Sequence, residues 1–245
     1  MTDLLAGAGD GRDSPLLQAA TVVLLRDGAS GLECLMLRKT EGQAFGGLWT
    51  FPGGRVEEGD GAGMEGARQA AVREAAEETG LLIDPAGLVP MAHWTPPTNA
   101  PRRYLTWFFV APTPLDAADV EVDGGEIDDH VWLSPAAVLE RHGQSEIDLL
   151  PPTWITLNRL VGPTDVAAAL AEASARPIER FSTQIAKTAD GVLVAVWDGD
   201  VAYVPGGSGA WEPQGGTDLA TPGARHRLFM DPAGWRYERR EGAKS

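Results

Sequence analysis

The hydrophobic pattern along this chain is mostly that of strands. Residues 18–26 (QAATVVLLR) and 32–38 (LECLMLR) are short apolar runs separated by DGASG, a turn signal, and read as a strand pair. Residues 40–48 form a glycine-containing loop, and 49–51 a short strand that runs into Pro52-Gly53-Gly54. The pattern then changes. Residues 64–79 are rich in Ala, Glu, Arg and Gln, carry no proline and no glycine after Gly66, and stop at Gly80, a good C-cap; this predicts a helix. Residues 86–94 and 103–111 read as strands separated by the loop TPPTNAPR, and 127–133 as a further strand. Ser134 is an N-cap for a short helix over 135–141. Prolines suit the start of a second helix within 149–160, and 165–175 is an alanine-rich third. Toward the end, residues 192–197, DGD and 201–204 read as one hairpin, and 227–230, DPAG and 235–238 as another. No internal repeat is found.

Strands mixed with helices, without regular alternation, predict an α/β domain with a mixed sheet followed by a β-rich extension. The 245 residues, 43% hydrophobic and 22% charged, suffice for such a domain with a real core. Residues 1–16 read as a mobile N-terminus. They lack a basic stretch ahead of an apolar core, so no signal peptide is expected, and no apolar run is long enough to span a bilayer. A soluble cytoplasmic protein with no membrane partner is the expectation. The net charge of −15 argues against nucleic acid as a partner. It does not exclude a phosphate-bearing ligand, because carboxylates bind divalent cations and those cations bind phosphate. The single cysteine, Cys34, lies among apolar neighbours and reads as core, so no internal disulfide and no multi-cysteine metal site is available.

The chemistry concentrates in Arg73-Glu74-Ala75-Ala76-Glu77-Glu78. On a helix, Glu74, Glu77 and Glu78 stand at i, i+3 and i+4, so all three carboxylates project from one face. Their repulsion costs helix stability unless a cation sits among them, and magnesium or manganese, hard ions that prefer oxygen, would meet that need. A solvated acidic face has the same spacing, so the context matters. Here a strand ending in Pro-Gly-Gly leads into the helix, giving a tight turn with backbone groups free near the carboxylates.

With those residues in place, the segment FPGGRVEEGDGAGMEGARQAAVREAAEETGLLI resembles the Nudix box, GX5EX7REUXEEXGU, where U is a bulky aliphatic. Gly59, Glu65, Arg73, Glu74, Glu77, Glu78, Gly80 and Leu81 fall at its spacings. Ala75 stands where a larger aliphatic is usual. In many members the first glycine is the second of the Pro-Gly-Gly pair, here Gly54. Counting from Gly54 puts Asp60 at the first glutamate position and adds five residues before Arg73. Both assignments stay open, with Gly54 favoured because it ends the strand. The resemblance implies a Nudix-type α/β/α sandwich with a mixed sheet over residues 17–162 and a helix plus β-hairpin extension over 163–245. It further implies hydrolysis of a diphosphate linkage in a nucleoside diphosphate derivative. Glu74, Glu77 and Glu78 would hold Mg2+ or Mn2+ with the Gly54 carbonyl, a glutamate or nearby acid would deprotonate water, and Arg73 would orient a glutamate. An acid in the region leading into VWLSP often adds a metal ligand or base in this family, and Glu126 is the candidate.

Arg102 and Arg103 are plausible phosphate contacts, and Trp94 and Tyr104 could stack on a base, although strand aromatics are more often core. The lengthened loop, the TPP…RRY…FFVA stretch and DLLPPTWITLNRL resemble a branch that includes coenzyme A and acyl-coenzyme A diphosphatases. ADP-ribose, dinucleotides such as NADH and nucleoside triphosphates also remain open. Three other readings compete with hydrolysis. A silent nucleotide sensor would not need the glutamates. A DNA-binding regulator would show a helix-turn-helix or a basic cluster. An isoprenoid diphosphate isomerase would need a cysteine–glutamate pair, for which Cys34 in an apolar strand is a poor fit. His93, His142 and His226 have no paired ligand spacing and read as structural. The tail from residue 164 on carries no readable motif; it could cover the site, form a homodimer contact or pack on the core.

Overall fold

A computed structural model of the chain describes residues 15–42, 45–98, 100, 102–114, 119–122, 124–205 and 219–241; the N-terminal stretch expected to be mobile lies, up to residue 14, outside them. The chain forms two compact units. The larger comprises Leu17–His93 and Leu105–Glu179, and the smaller takes in Trp94–Tyr104 and Arg180–Ser245 together with Met1–Leu16.

The larger unit is built on β1 (Leu16–Gly28), β2 (Gly31–Lys39), β3 (Trp49–Thr50), β4 (Gly53–Arg55), β5 (Val89–Thr95), β6 (Arg103–Pro112) and β7 (Ile127–Leu133), except for the first residue of β1, the last two of β5 and the first two of β6, which belong to the smaller unit. These strands lie in one sheet in the order β3-β2-β1-β6-β5, with β4 paired to β1 and β7 to β2. Four helices accompany them: α1 (Gly63–Thr79), α2 (Pro135–Gly143), α3 (Pro151–Arg159) and α4 (Val166–Ala175). The architecture is the mixed α/β fold expected from the pattern. Ala19 to Leu25 of β1 are buried without a break, the signature of a strand covered on both faces. Ser134 caps α2 through its hydroxyl, which accepts from the Ala137 amide, as its position in the sequence suggests.

The core of this unit joins Val22, Leu24, Leu35, Leu37, Phe109 and Ile127 to a face of α1 made of Ala67, Ala70, Ala71 and Ala75. Alanines at this spacing bring the helix backbone close to the sheet. Ala75 is completely buried on that face, which accounts for a small residue at a position where a bulky aliphatic is usual. Ala75→Leu should therefore overpack the interface and destabilise the protein by about 1–3 kcal/mol, read as a lower urea midpoint.

One expectation for this unit changes. Gly53 and Gly54 do not simply end a strand; with Arg55 they form β4, antiparallel to β1 with Thr21 opposite Gly53 and Ala20 opposite Gly54. A single turn of 3-10 helix at Glu58–Asp60 follows, and then α1.

The smaller unit contains β8 (Glu179–Ser182), of which all but the first residue belongs to it, β9 (Gln184–Lys187), β10 (Leu193–Val196), β11 (Arg225–Asp231) and β12 (Gly234–Arg240), the last four forming a sheet in the order β12-β11-β10-β9. The expected β11–β12 hairpin is present, with Phe229 opposite Arg236 and Met230 opposite Trp235. The hairpin expected over 192–204 is not. Strand β10 pairs with β9 and β11 instead, and residues after it turn around Asp200. The Asp200 carboxylate accepts hydrogen bonds from the Ala202 amide at 2.8 Å, the His226 amide at 2.8 Å and Arg227 Nε at 2.7 Å. Those three donors bend the chain where an alternating pattern alone would continue it. Trp94 stacks on Phe181 with ring centroids 3.8 Å apart and meets Trp197 edge-on at 5.7 Å.

Candidate active site

The sheet and α1 bring their polar ends together around a set of acids. Gly53 passes so close to β1 that it admits no side chain, and Gly54 lies directly against the carboxylate of Glu74 on α1. A Cβ on Gly54 would overlap the Glu74 carboxylate, and one on Gly53, where φ is +154°, would overlap the Ala20 carbonyl and lie 2.6 Å from Thr21 Cα. The Gly53 amide donates to Glu78 Oε2 at 2.8 Å. The glycine pair therefore places peptide groups directly against two of the helix carboxylates.

Glu78 is 3% exposed, and its second oxygen, Oε1, accepts from Lys39 Nζ at 2.7 Å. The same ammonium donates to Glu126 Oε1 at 2.8 Å. Lys39 follows Leu35 and Leu37 on the face of β2 that packs toward α1, so its side chain reaches inward, while Arg38 on the opposite face meets Asp128. On the other flank Arg73 is a hub. Its guanidinium takes Asp60 through two nitrogens at 3.0 and 3.2 Å, Glu74 at 2.9 Å, Glu77 at 3.2 Å and the Arg55 carbonyl at 2.9 Å.

The charge states follow from burial and neighbours. Burial pushes the Glu78 carboxyl up to about 7, against the opposing pull of Lys39 and the Gly53 amide. Burial also raises Glu74, partly offset by Arg73 and reinforced by the charges of Glu77 and Glu126. The Arg73 hydrogen bonds hold Asp60 below the usual carboxylate range. Burial pulls Lys39 down, but Glu78 and Glu126 together outweigh it, and the ammonium stays firmly charged.

Most of the residues proposed for catalysis and metal binding thus stand in one place: Arg73, Glu74, Glu77, Glu78, Gly54 and Glu126 all belong to this cluster. The two readings of the box also separate. Gly54 lies against Glu74, whereas Gly59 sits in the 3-10 turn with open space around it. Asp60 is forked by Arg73, while Glu65 points to solvent and meets only Arg68 and Gln69 along the helix surface. Accordingly, Asp60→Asn should lower turnover about tenfold by loosening Arg73, and Glu65→Gln should leave it unchanged, in parallel steady-state assays.

The residues proposed to contact substrate lie elsewhere in the chain's organisation. Trp94, Arg102, Arg103 and Tyr104 fall in the smaller unit. Trp94 is 3% exposed with one face against Phe181, so its ring has no open face for a base; its part is packing. Lys39 is a member of the cluster that the sequence pattern does not single out. A lysine ending an apolar strand ordinarily reaches water, and only the buried acid opposite reveals its use.

The donor set suits a hard divalent cation. Five carboxylates, Asp60, Glu74, Glu77, Glu78 and Glu126, face two cations, Lys39 and Arg73, and two of the acids, Glu74 and Glu78, are raised by burial and by neighbouring carboxylate charge. Among the described residues no three acid, histidine or cysteine side chains stand together as a ready ligand set; Lys39 and Arg73 occupy the space between the acids.

The chain belongs to the NUDIX domain family, whose model matches residues 15–151, a family of hydrolases that act on pyrophosphate bonds. Among solved structures, a NUDIX hydrolase from Alicyclobacillus acidocaldarius is similar over 67% of this chain and 100% of its own, at 22% identity and a TM-score of 0.61. The NUDIX domain of Shewanella oneidensis NrtR, solved with ADP ribose, is 18% identical over 64% of this chain and 94% of its own, with a TM-score of 0.47. A C. elegans Ap4A hydrolase is 24% identical over 63% and 98%, with a TM-score of 0.40. No curated protein matches the chain. Among the described residues no helix is long and apolar enough to cross a membrane.

Proposed function

We propose that this protein is a divalent-metal-dependent diphosphatase that cleaves the diphosphate linkage of a nucleoside diphosphate derivative, with coenzyme A or an acyl-coenzyme A as the leading substrate. The observation that carries the reaction is the seating of Glu74 and Glu78 against the Gly53–Gly54 backbone, with Glu77 tied to Glu74 through Arg73 and Glu126 to Glu78 through Lys39. The substrate rests on the resemblance of the lengthened loop and of the TPP…RRY…FFVA and DLLPPTWITLNRL stretches to the coenzyme A branch.

Glu74, Glu77, Glu78, Glu126 and the Gly54 carbonyl would hold Mg2+ or Mn2+. When bound, the metal supplies charge stabilisation on the diphosphate oxygens and a lowered pKa for water. The chain's own residues do the rest. Arg73 fixes Glu74 and Glu77 in orientation, and Asp60 fixes Arg73. The Gly53 amide holds one oxygen of Glu78. Glu126, half exposed just ahead of β7, is the candidate to meet an entering water and accept its proton. Arg102, Arg103 and Tyr104 are the proposed substrate contacts on sequence grounds.

The test is a panel of coenzyme A, an acyl-coenzyme A, ADP-ribose, NADH and the nucleoside triphosphates, incubated with the pure protein and magnesium or chelator. The expected result is magnesium-dependent cleavage at a diphosphate, identified by product mass, with coenzyme A or its thioester preferred. Tight binding of one member without turnover would instead identify a nucleotide sensor on the same fold.

A further inference from the structure

We propose that Lys39 is a resident counter-cation that competes with the divalent metal for the acid cluster, so that loading metal and releasing Lys39 are one exchange. The inference rests on the metal-dependent reading above. Its grounds are geometric. Lys39 is 8% exposed, and its ammonium lies 2.7 Å from Glu78 Oε1 and 2.8 Å from Glu126 Oε1, bridging an acid of α1 to one just ahead of β7. Strand alternation puts Lys39 on the same face of β2 as Leu35 and Leu37, which pack with α1, so this lysine, and not Arg38, faces the acids. The other oxygen of Glu78 is already committed to the Gly53 amide, so Oε1 is the one Lys39 holds. Arg73 neutralises the opposite flank through Asp60, Glu74 and Glu77 and makes no hydrogen bond or ion pair to Glu78 or Glu126.

A carboxylate has lone pairs enough for an ammonium and a divalent cation together, but the two cations then stand only a few ångströms apart and repel. A metal held by Glu78 Oε1 and Glu126 therefore binds against the charge of Lys39, and the exchange relieves that repulsion by releasing the ammonium from at least one of the two acids. Until then, Lys39 keeps a nearly fully buried carboxylate from standing unpaired, which would otherwise be costly. The fold thus carries its own substitute for the metal, at the expense of metal affinity.

The experiment compares the full-length wild type with Lys39→Met and Lys39→Arg, stripped of metal and studied at pH 8.5 without substrate. Magnesium binding is measured by titration calorimetry, and melting temperature is measured with chelator and with magnesium. Lys39→Met is expected to melt lower than wild type in chelator, to bind magnesium about tenfold more tightly, and to gain more in melting temperature on adding it. Lys39→Arg, whose guanidinium can fork both acids, is expected to bind magnesium several-fold more weakly than wild type. Magnesium binding by Lys39→Met that equals or falls below wild type would overturn the exchange and make Lys39 a support of the metal site. If Lys39→Met does not fold, Lys39→Arg decides, and affinity equal to or above wild type overturns the proposal. Absence of magnesium binding by the wild type itself is a distinct result, because it sinks the metal-dependent reading along with this one.

Discussion

Replacing Glu78 with glutamine is expected to lower kcat on the order of a thousandfold while leaving the protein folded. The substitution keeps the shape and removes the charge. It also breaks a matched arrangement, because both carboxylate oxygens accept, one from Lys39 and one from the Gly53 amide. A glutamine amide has one oxygen and one NH2 group, so one of those donors must face another donor. The surrounding packing does not change, since Glu78 sits beside the alanine face of α1 that contacts the sheet. The measurement is steady-state turnover at saturating magnesium beside a melting curve, with Glu65→Gln as an exposed control on the same helix. A Glu78→Gln enzyme within tenfold of wild type would remove this carboxylate from the reacting machinery.

The second large effect concerns stability, and it falls in the smaller unit. Arg227 is 1% exposed and its charge is matched by Asp200, which is itself buried. Asp200→Ala leaves a buried guanidinium unpaired and strips the His226 and Ala202 amides of their acceptor, and is expected to cost about 3–5 kcal/mol. Burial raises the Asp200 carboxyl, but hydrogen bonds from Arg227 and from the two amides more than offset this and hold it below the usual range. A depressed carboxyl contributes its stability above the unfolded-state value and loses it as pH falls through the folded-state value. Wild type should therefore keep this contribution at neutral pH and lose it only in acid, whereas Asp200→Ala lacks it throughout. Urea unfolding at neutral and acid pH distinguishes the two, and a wild-type-like midpoint for Asp200→Ala at neutral pH would refute the assignment.

What the sequence makes legible follows from the range of the interactions. Helix α1 and the common face of Glu74, Glu77 and Glu78 are local matters of spacing, and they can be read from a few adjacent residues. Strands β1, β2, β6 and β7 are apolar enough to be read in the same way. The role of Lys39 is not local, since its two partners lie 39 and 87 residues away in sequence. Strand β4 is hidden because two of its three residues are glycines, chosen for what they must avoid and not for strand propensity. The turn at Asp200 is concealed by an alternating pattern that would suit a hairpin, and is fixed by donors from β11. Trp94 illustrates the opposite error, in which an aromatic placed well for stacking on a ligand stacks on Phe181 instead.

The chain's single thiol has a bearing on how its chemistry can be followed. Cys34 lies in β2, wholly enclosed, and burial pushes it up to about 12. At neutral pH it offers essentially no thiolate to react. Free coenzyme A is itself a thiol, and with many proteins it is captured as a mixed disulfide that mimics tight binding or slow consumption. Here that side reaction has no partner on the chain while the fold is intact, so a fall in free coenzyme A is not covalent capture by the protein, and reducing agent can be omitted from magnesium titrations without substrate.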